Sequence, residues 1–186
     1  MEEAECALIE ARGEKRFVMR DVSRSAPMLD RIGLAGELAD AIDRNELFLT
    51  YQPKLHVRLQ AVASVEALVR WQHPRHGLIP PSDFIPLAEQ SRDIVKLTIW
   101  TIRQVIDDQK RLAAAGHDIP IFINIAGVLL ADTKFIDAAC HLIRKGRAKI
   151  GFEITETSVI RDPQSAIAHL KLFNDMGIII AIDDYG

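Results

Sequence analysis

Several polar residues stand in or at the ends of short apolar runs in this chain. They are Glu66 and Arg70 within residues 61–71, Asn124 after Ile121-Phe-Ile, Glu153 after Ile150-Gly-Phe, and Asp183 and Asp184 after Ile178-Ile-Ile-Ala-Ile. Two carboxylates about 4 Å apart repel by roughly 4 kcal/mol at an effective dielectric near 20. Gathering Glu66, Glu153, Asp183 and Asp184 is therefore unfavourable unless cations neutralise them. Oxygen ligands, carboxylates plus the Asn124 amide, favour Mg²⁺, Mn²⁺ or Ca²⁺ over zinc. Arg70, four residues after Glu66, could hold a phosphate beside such a metal. A single acid in such a place is more simply a helix cap. That explanation weakens when several acids end successive strands.

These residues need elements that bring their ends together. At period two, Ala61, Ala63, Val65, Ala67, Val69 and Trp71 make one apolar face, and Val62, Ser64, Glu66, Leu68 and Arg70 make the other. A strand with one side in water alternates similarly, so alternation alone decides little. The turn residues of 72–77 and Pro80-Pro81 then lead towards helical patterns. That suits a strand of a βα unit, its apolar face under helices and its polar face towards an interior mouth. Spacing predicts helices over 30–44, 83–89, 93–115, 131–145 and 163–176. Strands are predicted over 47–52, stopping at Pro53, and over 61–71, 120–125, 149–154 and 178–184. Strands alternating with helices predict an α/β fold with parallel strands. The chain divides into an N-terminal extension at 1–22, a linker at 23–33 and a domain at 34–186.

Composition narrows the classes. A chain of 186 residues is long enough for one ordinary domain, and 48% apolar with 26% charged residues reads as globular, not disordered. A net charge of -3 argues against gripping DNA or RNA through bulk basicity. Cys6 and Cys140 lack metal-ligand spacing and are read as reduced thiols in a cytoplasmic protein. The first residues lack a signal-peptide pattern, and no apolar run nears the roughly 20 residues of a membrane helix. His73 and His76 fall around Pro74 and read as turn residues, and His56, His117, His141 and His169 read as scattered and exposed. Trp71 and Trp100 read as filling between strand and helix. The basic run 144–147 reads as a solvated helix end.

Read together, Tyr51-Gln52-Pro53, Glu66-Ala67-Leu68-Val69-Arg70, Ile123-Asn124, Glu153-Ile-Thr-Glu156 and Asp183-Asp184-Tyr185-Gly186 resemble the ordered motifs of the EAL family. Trp71-x-His73-Pro74-x-x-Gly77 lies among them. Members of that family are phosphodiesterases specific for the bacterial messenger cyclic di-GMP. The resemblance implies an incomplete TIM-like (β/α) barrel, about its first five strands. It also implies hydrolysis of cyclic di-GMP to linear pGpG at a two-metal site loaded with Mg²⁺ or Mn²⁺. On this likeness Glu66, Asn124, Glu153 and Asp183 hold the first metal, and Asp184 joins Asp183 at a second. Arg70 contacts a substrate phosphate, Gln52 and Leu68 contact the dinucleotide, and Glu156 steadies a loop at the active face. The implied partners are cyclic di-GMP, an adjoining GGDEF or sensory domain and a second EAL copy in a homodimer.

The chain departs from the family pattern in places. Ala126 stands where serine is usual, which removes a hydroxyl near the metal site, and Tyr185 stands where phenylalanine is usual. The family's later βα units carry an essential lysine, a metal-side glutamate and a substrate-contacting glutamine beyond the last motif present here. A complete α/β barrel takes about 250 residues, against about 150 after the linker. The expectation is that the isolated chain is inactive, with an apolar flank of Ile178, Ile180 and Ile182 facing water. The alternative is a degenerate EAL module that binds cyclic di-GMP or a protein without cutting. The extension at 1–22 is read as the tail of a GGDEF-type domain or an ordinary extension.

Overall fold

A computed structural model describes residues 31–155 and 163–183. Helix α1 (Arg31–Asp43) precedes the hairpin of β1 (Leu47–His56) and β2 (Ala61–His73) and a short β3 (Gly77–Ile79). Helices α2 (Pro81–Ser91) and α3 (Asp93–Ala114) lead to β4 (Ile121–Asn124). A 3-10 turn at Gly127–Ala131, α4 (Thr133–Gly146), β5 (Ile150–Thr155), α5 (Pro163–Asp175) and β6 (Ile179–Asp183) follow. The sheet runs β1-β2-β4-β5-β6, with β3 paired to β2. From β2 onwards the path is parallel, as expected of βα units, whereas β1 and β3 pair with β2 antiparallel. No helix among the described residues is long and apolar enough to cross a membrane.

Register divides the side chains between two faces. Val65, Ala67, Trp71, Ile121, Ile123, Ile150, Phe152 and Ile154 share one face and are buried. The opposite face carries Gln52, Glu66, Asn124 and Glu153 and is more open, with Gln52 and Asn124 exposed. In α1 the buried stripe is Leu34, Leu38, Ala41 and Ile42. Lys96 of α3 fastens the end of α1 by donating to the Ala39 carbonyl and the Asp43 carboxylate, each at 2.7 Å. Asp132 caps α4 by accepting from the Phe135 amide at 3.1 Å.

Several expectations change. β1 does not stop at Pro53 but continues to His56, with Pro53 opposite Val65. An edge position explains this, because proline lacks only a donor that such a strand can leave unused. The pairing shifts once, between Lys54 and Leu55. His73 is the last residue of β2, not a turn residue, and is only 1% exposed. Its Nδ1 accepts from the Arg75 and His76 amides, so the proton sits on Nε2 and is donated to Glu37 at 2.7 Å. Glu37, which Arg75 also contacts, is held below the usual carboxylate range by those two partners. His169 is half-buried with Nδ1 facing the Leu130 carbonyl at 2.6 Å. The flank expected to face water does so only in part: Ile178 is buried, with its amide donating to the Phe173 carbonyl, Ile180 is half-buried and Ile182 is exposed.

Close packing beneath the open face makes Gly151 difficult to replace. A Cβ there would come within 2.5 Å of the Phe122 ring. Gly151→Ala should cost about 1–3 kcal/mol through overpacking. A lowered urea midpoint at unchanged slope is the expected reading, and an unchanged midpoint would show that Phe122 moves aside freely.

Candidate functional site

The open face is built from the carboxyl ends of β2, β4 and β5 with β1 alongside. Antiparallel register sets Gln52 opposite Glu66 and Lys54 opposite Ser64, so both β1 side chains share Glu66's face. Parallel register sets Asn124 beside Glu153. Asn124 Nδ2 donates to Glu66 Oε1 at 2.7 Å. Glu66, Asn124 and Glu153, named from the sequence, therefore meet at one end of the sheet.

Lys54 joins them, and the sequence reading missed it. Its Nζ lies 3.3 Å from Glu66 Oε2 and contacts Glu153 Oε1 still more closely. Burial alone would lower the lysine's pKa, but the hydrogen bonds to Glu153 and Glu66 outweigh it and the net shift is upward. Glu153 is only 4% exposed, and its Oε2 is buried without a hydrogen-bond partner. A buried carboxylate oxygen with no donor is costly, and a cation is the natural group to answer it. The donors are hard oxygens, which fits Mg²⁺ or Mn²⁺. Among the described residues, no three His, Cys, Asp or Glu side chains gather as a metal site.

The other named residues take varied places. Leu68 and Arg70 are half-buried on β2, and Arg70 Nη1 donates to the Val69 carbonyl at 3.2 Å. Leu68, Asn124, Ala126 and Glu153 border a cavity of ≈ 300 Å³, whose wall continues over Ile123 and Leu97. Asp183 ends β6, its backbone paired with Thr155 two positions beyond Glu153. Glu156 and Asp184 lie outside the described residues. Tyr51 points away from this face and donates its hydroxyl to Asp108 of α3 at 2.6 Å, fixing β1 on its helix. Burial and that carboxylate raise the tyrosine's pKa far above its ordinary value.

The EAL domain model matches residues 35–186. The chain belongs to the EAL domain family. One relative, the bifunctional diguanylate cyclase/cyclic di-GMP phosphodiesterase MucR of Pseudomonas aeruginosa, is 30% identical over 189 residues, which cover 98% of this chain and 28% of MucR. The cyclic di-GMP phosphodiesterase PdeR of Escherichia coli is 32% identical over 177 residues, covering 94% of this chain and 27% of PdeR. The chain thus spans less than a third of these curated relatives. A solved structure described as the PaMucR phosphodiesterase, c-di-GMP complex, superposes with a TM-score of 0.75 at 33% identity over 83% of this chain and 64% of that one. The EAL enzyme Bd1971, in its cAMP and cyclic-di-GMP bound form, gives a TM-score of 0.75 at 28% identity over 96% of this chain and 50% of that one. Such EAL domains are TIM-like barrels, and the sheet described here is part of one.

Proposed function

We propose that this EAL domain serves the hydrolysis of cyclic di-GMP to linear pGpG at a site that takes Mg²⁺ or Mn²⁺. The observation that carries the reading is the meeting of Glu66, Asn124 and Glu153, with one buried oxygen of Glu153 left without a partner. Glu66, Asn124, Glu153 and Asp183 would hold one ion, and Asp184 would join Asp183 at another. When bound, such ions supply an activated water and positive charge to offset the phosphodiester. The chain's own residues bind and orient. Arg70 meets a phosphate as a charged donor, and Gln52 and Leu68 flank the dinucleotide. By sequence likeness alone, Glu156 would steady a loop at the active face. The names of MucR and PdeR favour the same substrate, and MucR's name pairs this activity with a cyclase, which favours an adjoining GGDEF domain. A homodimer of EAL domains belongs to the same reading.

Calorimetry of the chain in chelator and then in Mn²⁺ tests the site. An ion held only by the folded state, at a hundred times its Kd, adds about 2.7 kcal/mol of stability. The expected result is a melting temperature that climbs with Mn²⁺. A folded chain that ignores the ion would remove the metal site. Hydrolysis itself is best measured with residues 34–186 joined to the remaining barrel of a related EAL phosphodiesterase, where linear product is expected.

A second reading follows from Lys54, whose ammonium meets both Glu66 and Glu153. In that case the domain binds cyclic di-GMP without cutting it. Nucleotide affinity that is unchanged by chelator, with no linear product in the joined domain, would favour this reading.

A further inference from the structure

We propose that Lys54 is the resident counter-ion of the metal-free site, and that a divalent ion binds by displacing its ammonium from between Glu66 and Glu153. The proposal rests on the metal-site reading above. β1 runs antiparallel along β2, so a lysine two residues after Gln52 reaches across the open face from the edge of the sheet. Its Nζ touches one carboxylate from β2 and one from β5, spanning β4 between them. The Phe122 ring of β4, seated over Gly151, lies beneath it, with the ammonium 5.7 Å from the ring centroid.

Charge and ligand count both favour exchange. One ammonium offsets only one of the two carboxylates, whereas a divalent ion offsets both. Lys54 also leaves Glu153 Oε2 unanswered, an oxygen a metal could take. Exit is open to the lysine, since 40% of its side chain is exposed and its stem is flexible. Lys54 therefore keeps the acid cluster folded while metal is scarce, and weakens metal binding by the work of its removal.

Calorimetry and Mn²⁺ titration of the wild-type chain, Lys54→Met, Lys54→Arg and Lys54→Met/Glu153→Gln separate the outcomes. In chelator, Lys54→Met should melt below wild type, and adding Glu153→Gln should restore part of the loss, because the unpaired buried charge is then gone. Mn²⁺ should bind Lys54→Met about two- to fivefold more tightly than wild type, the order expected when a partly exposed ion pair need not be broken first. Lys54→Arg, which keeps the charge, should stay near wild type. If Lys54→Met does not fold in chelator, Lys54→Gln is used for the same comparisons, since it removes the charge but keeps a donor. Equal or weaker Mn²⁺ binding by the uncharged variant, with wild type binding normally, would overturn the displacement alone. No Mn²⁺ binding by any folded variant would overturn the metal site and the displacement together. An uncharged variant that melts like wild type in chelator would show that Lys54 is no counter-ion.

Discussion

Glu66→Gln should leave the fold standing and remove cyclic di-GMP hydrolysis from the domain joined to a complete barrel. The amide fills nearly the same space and can still accept from Asn124 Nδ2 through its oxygen. It cannot supply the negative charge that a hard cation needs. Turnover should fall by more than the roughly 10–100-fold typical of losing a residue that merely supports a metal ligand. Arg70→Ala gives the contrast, because loss of a charged phosphate donor should appear chiefly in KM. Circular dichroism establishes the fold and product chromatography the loss. Near-normal turnover in Glu66→Gln would withdraw this residue from the ligand set.

Phe152→Ala should be the most damaging single change to stability, costing about 3–5 kcal/mol. The ring is fully buried on the helix side of β5 and meets Phe173 of α5 edge-on, with centroids 5.0 Å apart. Truncation opens a cavity where strand and helix pack, and it removes an aromatic contact worth about 0.5–1.5 kcal/mol beyond area alone. Urea unfolding followed by far-ultraviolet dichroism measures it. A loss under about 1 kcal/mol would place the ring outside the effective core, since that is less than a buried phenylalanine costs.

Much of this was legible in the sequence because strand periodicity and strand ends do different jobs. Alternation in residues 61–71 correctly separated Trp71 and Ala67, now buried, from Glu66 and Leu68 on the open face. The order of apolar runs gave the parallel path from β2 to β6. Lys54 is hard to find from sequence because Pro53 reads as the end of a strand, whereas β1 runs on to His56. Had the strand been allowed to continue as an edge, Lys54 would have shared parity with Gln52 and pointed at the acids. The antiparallel entry of β1 is a tertiary fact, since a two-strand hairpin and a βα unit begin with the same apolar run. His73 escaped for a similar reason, because the short β3 extends pairing as far as Gly77 and turns an apparent loop residue into a buried hinge pin. Glu156 and Asp184 fall outside the described residues, so their roles rest on sequence likeness.

The uneven pairing between Lys54 and Leu55 works as a slip joint. A strand slipped by one residue turns every side chain to the other face, which would carry Gln52 and Lys54 away from Glu66. Here the irregularity lies just beyond Lys54, so length changes in the exposed tip at residues 57–60 can be absorbed before they reach the acids. The tip is therefore a natural port for a reporter peptide or a dye, wired mechanically to the edge of the site yet uncoupled from its alignment.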